Sequence, residues 1–186
     1  MRRLNGERVN LRRFRPADEA TVWEGRASAE PSALPSGPGP RSHLRKRILA
    51  SGQWVHGSLD LAIESNGRLI GDVQARMGAG QRLPAGVVEL GVDLYDPEQR
   101  GKGYGAEAVA LITTWLLERG IADRVQASTA VGNRPMRRVL EKLGFTFEGV
   151  MRGFMPVGDR REDFALYGVT KAEWRSLGTK RVVESQ

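Results

Sequence analysis

Hydrophobic and polar residues alternate in several short stretches of the chain, and a period of two residues predicts β-strands. The clearest case is "VVELGVDLY", residues 87–95. One face of this stretch is apolar and the other is polar: Val88, Leu90, Val92 and Leu94 against Glu89, Gly91, Asp93 and Tyr95. We therefore expect a strand whose first face packs on the core and whose second face presents two carboxylates.

The remaining elements follow from the same patterning. Asn66-Gly67 between two apolar runs is a strong hairpin signal. Further strands are predicted at 8–13, 58–64, 68–77, 124–131, 145–152 and 161–170. Helices are predicted from Asp18 to Trp23 and at 43–54, 103–119, 133–143 and 171–177. Residues 28–42, rich in Pro, Ser and Gly, read as a long loop.

Length and composition restrict the function. The 186 residues favour a single domain, expected over 1–178 with a tail at 179–186. With no cysteine and only two histidines, disulfides, thiolate nucleophiles and a metal site are not expected, which leaves carboxylates, hydroxyls or bound water for catalysis. No apolar run or leader peptide is visible, so we expect a cytoplasmic protein without a membrane partner. The net charge of +7 fits either an anionic partner or a solvated basic surface.

A glycine-rich stretch, "QRGKGYG" (99–105), lies between the 87–95 strand and the 103–119 helix. Glycines there let backbone amides approach a phosphate at the positive end of a helix. A Walker loop is excluded because Lys102 is followed by Gly103 and not by Ser or Thr. A dinucleotide fingerprint matches by spacing, but Asp123 precedes the next strand and cannot reach a ribose. A tight turn without a ligand remains the alternative.

The stretch from Arg100 to Gly105 resembles the acyl-CoA pyrophosphate loop of the GNAT superfamily of N-acyltransferases. "NRPMRRVLEKLGFTFEG" (133–149), "RVNLRRFRPAD" (8–18) and "REDFALYGVTKAEW" (161–174) are similar to its ribosomal-protein N-terminal acetyltransferase branch, the RimJ/RimL-like enzymes. The resemblance implies an α/β (α+β) fold: a mixed, twisted sheet of about seven strands, splayed in the middle, with four or five helices. It also implies acetyl-CoA as co-substrate and a primary amine as acceptor.

The resemblance assigns site residues as well. Those expected to hold CoA are Val92, Asp93, Leu94, Gln99, Arg100, Gly101, Lys102, Gly103, Tyr104, Gly105, Asn133 and Arg137. Asn133 has an equally good interpretation as a helix cap. Glu89 is the expected general base, with Asp93 and Tyr167 as further catalytic candidates. The positions where the family often has a catalytic Ser or Tyr hold Met136 and Leu140 instead.

Three functions remain open at this point: an acyl-CoA N-acyltransferase, a catalytically silent acyl-CoA sensor, and a ribosome- or RNA-associated binding module. The expected acceptor is a peptide N-terminus, such as that of a ribosomal protein, or a small-molecule amine. The 28–42 loop is expected to form one wall of the acceptor site. The protein is expected to be a monomer or a homodimer.

Overall fold

The computed structural model describes residues 3–27, 40–77 and 83–184, with side chains described as far as residue 178. Within them, eight strands form one sheet: β1 (Leu4–Asn5), β2 (Asn10–Arg12), β3 (Ser58–Ser65), β4 (Arg68–Met77), β5 (Val87–Leu94), β6 (Arg124–Ala130), β7 (Thr146–Val157) and β8 (Arg160–Thr170). The order is β1-β2-β3-β4-β5-β6-β8-β7. The α-helices are α1 (Glu19–Ala27), α2 (Arg41–Ala50), α3 (Tyr104–Glu118), α4 (Arg134–Lys142) and α5 (Lys171–Glu184).

The predicted α/β architecture is confirmed, including the β3–β4 hairpin. Asn66 and Gly67 have φ of 49° and 76°, and positive φ at both central residues is what a two-residue hairpin turn of type I′ requires. Several details differ from the prediction. The two-residue strand β1 was not predicted, α1 continues beyond Trp23 to Ala27, and α5 extends to Glu184 instead of ending near 177. Helix α2 is Arg41–Ala50 and not 43–54, and β7 continues past 152 to Val157. Most of the 28–42 loop, residues 28–39, lies outside the described residues, and Arg41 already begins α2.

The sheet is split in its middle, as expected. β5 and β6 pair in parallel only from Val87↔Arg124 to Leu90↔Ala127. Beyond that point β5 stays paired with β4 as far as Leu94, and β6 stays paired with β8 as far as Ala130. The last four residues of β5 and the last three of β6 therefore border an opening instead of each other.

Two apolar clusters cover the two faces of the sheet. Helices α3 and α4 pack on one face, where Val88 and Leu90 of β5 meet Ile112 and Leu140. Helices α1 and α2 pack on the other face, over β4 and β3 respectively, with a cluster of Phe14, Val22, Leu44, Ile48 and Ala62. Because side chains alternate along β5, Glu89 and Asp93 point to the side on which α1 lies.

Candidate active site

The glycine-rich stretch forms a tight loop that starts helix α3. After β5, Asp96 caps a short 3-10 helix (Pro97–Gln99) by accepting from Glu98 N at 2.8 Å. Gly101 and Gly103 then have φ of +75° and +84°, which a residue with a Cβ rarely adopts. Gly103 is the N-cap of α3, so the amides of the first helical turn point out of the helix end. Gly105 lies in that turn.

The predicted cofactor residues of the loop differ in exposure. Arg100, Gly101 and Lys102 are exposed, so the two cations lie beside the helix end without being buried in the core. Gln99 is half-buried, and Tyr104 packs against the main apolar cluster. The exposed amides, the α3 dipole and the two cations together make this end of the helix a suitable place for a polyanion.

The opening between β5 and β6 presents free strand edges next to this loop. Tyr95 N donates to Ile70 O of β4 at 3.0 Å. Because alternate residues of an antiparallel pair direct their backbone groups to the same neighbour, Val92 and Leu94 direct theirs the other way, into the opening. An extended chain can therefore pair with β5 here as a further strand would.

On the α1 side of the sheet, Asp72 of β4 organises a buried polar cluster. Its side chain is fully buried, and it accepts from Arg26 of α1 at 2.8 Å and from the Tyr95 hydroxyl at 2.6 Å. Burial disfavours the charge on Arg26, but the attraction of Asp72 outweighs this and raises the pKa of the guanidinium. Burial and then the Asp72 charge raise the pKa of the Tyr95 hydroxyl.

The cluster continues across the strands to Glu89. Gln74 donates to Asp72 at 3.0 Å and accepts from Arg76 at 3.2 Å. Arg76 pairs with Glu89 at 3.4 Å, and Gln126 of β6 donates to the other Glu89 oxygen at 3.1 Å. The carboxylate of Glu89 is thus bonded from both neighbouring strands, and 25% of its side chain remains exposed to solvent. It lies beside Leu90, where the β5–β6 pairing ends.

Asp93 has a different environment from Glu89. It lies directly across from Asp72 in the β4–β5 register, and like charges in opposed positions are unfavourable. Burial, followed by repulsion from Asp72, raises the pKa of Asp93 to about 6, against the opposing effect of Arg26. Among the described residues the structure gives its carboxylate no hydrogen bond or ion pair. Its protonation state therefore changes just below neutral pH.

Three predicted residues lie on the α4 side of the opening. Asn133 caps α4, accepting from Met136 N at 3.2 Å and donating to Thr129 at 3.0 Å. Arg137 donates to the hydroxyl of Tyr167 at 3.0 Å, and that hydroxyl donates to Glu141 at 2.7 Å. Burial raises the pKa of Tyr167, whose side chain is inaccessible. The structure therefore separates Tyr167, on the α3–α4 face, from Glu89 and Asp93 on the opposite face.

Sequence reasoning missed Arg26, Asp72, Gln74, Arg76 and Gln126, which surround the two predicted carboxylates. A signal was present in β4, where Asp72, Gln74 and Arg76 occupy every second position and share one face. Arg26 had no such signal, since its contact with Asp72 spans 46 residues.

Comparison with known proteins identifies the family. The acetyltransferase (GNAT) domain matches residues 8–146, which is most of the chain. Because this match covers more than half of the chain, the chain belongs to the GNAT acetyltransferase family.

Individual relatives agree with this assignment. The putative ribosomal N-acetyltransferase YdaF of Bacillus subtilis is 35% identical over 77 residues, 41% of this chain and 42% of that protein. Mycothiol acetyltransferase of Cellulomonas flavigena is 28% identical over 169 residues, 87% of this chain and 48% of that protein. The chain thus spans about half the length, or less, of these curated relatives.

Solved structures share the fold. The ribosomal L7/L12 alpha-N-protein acetyltransferase RimL, determined in complex with coenzyme A, aligns with a TM-score of 0.74. The alignment covers 90% of this chain and 97% of RimL at 17% identity. Separately, no helix within the described residues has the length and apolar character needed to cross a membrane.

Proposed function

We propose that this protein is an acetyl-CoA-dependent N-acyltransferase that acylates a primary amine. The observation that carries the proposal is the opening between β5 and β6, which leads directly to the glycine loop at the start of α3. A ligand with a diphosphate at one end and an extended, hydrogen-bonding arm at the other fits this combination. Acyl-CoA has that chemistry.

The donor occupies two connected parts of the site. Amides from Arg100 to Gly105 bind the diphosphate, assisted by the charges of Arg100 and Lys102. The pantetheine arm pairs with the backbone of Val92 and Leu94 inside the opening. Asn133, bonded to Thr129 of β6, and Arg137, bonded to Tyr167 of β8, lie on the α4 side of the opening, and we assign both to the donor site.

The acyl group then lies at the closed end of the opening, beside Leu90 and Gly91. Gly91 has no side chain on the acceptor face, and a Cβ there would lie 3.5 Å from Nη2 of Arg76. Glu89 and Asp93 flank Gly91 along the strand, on the face that an incoming amine reaches. Glu89 is nearer the closed end, and we assign it the role of principal base.

The reaction needs few groups. Glu89 accepts a proton from the ammonium form of the acceptor, and the neutral amine attacks the thioester carbonyl. The carbon–sulfur bond then breaks as CoA thiolate departs, and the nitrogen releases its second excess proton to solvent to give the amide. A thiol pKa of about 8.5 makes this leaving group tolerable near neutral pH, so solvent can protonate it. Asp93 offers a second carboxyl four residues further along the strand, which at about 3.3 Å per residue is about 13 Å away. Tyr167 has the weakest support of the three, because its hydroxyl is already engaged with Arg137 and Glu141.

A peptide N-terminus is the first acceptor to test, because YdaF and RimL are named as ribosomal N-acetyltransferases. Within the described residues, Asp72, Glu89 and Asp93 lie on the acceptor face with the cations Arg26 and Arg76, and Arg100 also acts on Asp93. Glu89, whose side chain is 25% exposed, can receive an acceptor that arrives as an ammonium ion.

The deciding experiment is thiol release from acetyl-CoA in the presence of peptide N-termini, aminoglycosides and amino acids, each supplied separately. We expect amine-dependent release with at least one acceptor, and much slower release from the Glu89→Gln variant. Tight acetyl-CoA binding with no amine-dependent release would instead support a silent acyl-CoA sensor, the role compatible with Met136 and Leu140 at the hydroxyl positions.

A further inference from the structure

An arginine from the N-terminal segment of the chain, Arg8, lies at the start of helix α3. Arg8 belongs to the turn that joins β1 to β2, which is closed by Gly6 N donating to Val9 O at 2.9 Å. Its guanidinium approaches Gly103 so closely that a Cβ on Gly103 would lie 2.4 Å from Nη1 of Arg8. A cation from the N-terminal hairpin therefore stands over the N-cap residue of α3.

The backbone of Arg8 is anchored in this position. Glu107, in the first turn of α3, accepts from Arg8 N at 3.0 Å and from Glu7 N at 2.5 Å. Ser65 of β3 donates to Arg8 O at 3.0 Å. The side chain of Glu107 is thus used by backbone amides, and the hairpin is attached to the same helix end that starts the glycine loop.

Among the described residues, the guanidinium of Arg8 has no carboxylate partner. Three other arginines of the same segment, Arg3, Arg12 and Arg15, pair with Glu64, whereas Arg13 donates to Leu49 O at 3.5 Å. Arg8 is exposed, and in the described part of the chain no carboxylate lies within salt-bridge distance of it. An unpaired cation thus lies next to Gly103, which has a positive φ, and next to the exposed amides and the positive dipole end of α3. This arrangement suits a bound anion.

We propose that Arg8 is a phosphate ligand of the donor site and contacts a phosphate of the CoA nucleotide. This inference rests on the proposed function, because the anion is part of the acyl donor. It makes the β1–β2 hairpin a third wall of the phosphate site, next to the loop and the end of α3. The phosphate is either one of the diphosphate pair or the 3′-phosphate of the ribose, and both offer the same charged oxygens to a guanidinium.

The test measures dissociation constants by calorimetry for CoA and for 3′-dephospho-CoA. Three variants are compared with the wild type: Arg8→Gln, Arg8→Lys and Arg13→Gln. Arg13 is also exposed and lies in the same segment, but its side chain covers Gly52, so it serves as the matched control. Arg8→Lys keeps the charge, and it separates loss of the cation from disturbance of the hairpin.

We expect Arg8→Gln to weaken CoA binding about tenfold, within the range of a charge-assisted hydrogen bond. Arg8→Lys should retain part of the affinity, and Arg13→Gln should match the wild type. If the Arg8→Gln defect persists with dephospho-CoA, Arg8 contacts the diphosphate; if it disappears, Arg8 contacts the 3′-phosphate. Wild-type affinity of Arg8→Gln for both ligands would overturn the inference while leaving the proposed function intact. A wild type that binds neither ligand would overturn both.

Discussion

Replacing Asp93 by Asn should stabilise the protein at neutral pH. Asp93 is ionised there although burial and the opposed charge of Asp72 disfavour its carboxylate. The pKa is raised from an ordinary 3.8 to about 6, and each pKa unit corresponds to about 1.36 kcal/mol. The full penalty is therefore about 3 kcal/mol, and partial contact with solvent reduces the expected gain of Asp93→Asn to about 2 kcal/mol.

The pH dependence has a definite sign. Because the pKa of Asp93 is higher in the folded state, the folded protein binds more protons between pH 3.8 and about 6. Its contribution to stability is present below the unfolded-state pKa and is lost as the pH rises through the folded-state value. The advantage of Asp93→Asn should thus be about 2 kcal/mol at pH 7.5 and below about 0.5 kcal/mol at pH 4.

Urea denaturation of the unliganded protein, followed by fluorescence of its four tryptophans, measures this difference. The control Asp159→Asn removes an exposed carboxylate from the turn between β7 and β8 and should change little at either pH. Equal stability of Asp93→Asn and wild type at pH 7.5, or a gain that does not depend on pH, would refute the raised pKa assigned to Asp93 from its burial and from the opposed charge of Asp72.

Three further predictions concern the same site. Glu89→Gln should lower the acyl-transfer rate at neutral pH by a factor of about 10² to 10⁴ while leaving CoA affinity unchanged. The defect should shrink at higher pH, where solvent supplies the neutral amine. A wild-type pH–rate profile would remove Glu89 from the mechanism. Gly103→Val should abolish CoA binding in a folded protein, because the backbone of Gly103 has a positive φ and a Cβ there would clash with Arg8. The control Gly67→Val has a similar φ but open space around it, and it should leave the CoA affinity measured by calorimetry unchanged. Asp72→Asn should lower the free energy of unfolding by about 3 kcal/mol, because it leaves Arg26 charged and buried without its partner. The control Asp60→Asn, at the more exposed pair with Arg47, should lower it by less than about 1 kcal/mol. Similar losses for the two variants in urea denaturation would contradict this ranking.

The fold was predictable where the signal is local. Alternation in 87–95 gave β5 and its two faces, Asn66-Gly67 gave the hairpin, and the spacing of Gly101, Gly103 and Gly105 located the start of α3. The two-residue strand β1 was not predicted, because Leu4–Asn5 is too short to show an alternation of apolar and polar residues.

Contacts between distant residues could not be predicted in the same way. The opposition of Asp72 and Asp93 depends on the β4–β5 register, and the Arg26–Asp72 pair depends on how α1 packs over the sheet. Likewise, the position of Arg8 over Gly103 depends on the Glu107 contact, which joins residues 99 apart. Pattern reasoning thus found the carboxylates of the site but not the groups that set their charge.

The central claim is that the acyl-CoA arm fills the opening between β5 and β6, and amide hydrogen exchange measured by NMR tests it most directly. Saturating CoA should slow exchange at Val92 and Leu94, whose amides face the opening, and should leave Val88 and Leu90, already paired with β6, little changed. CoA binding that leaves Val92 and Leu94 unprotected would contradict the claim.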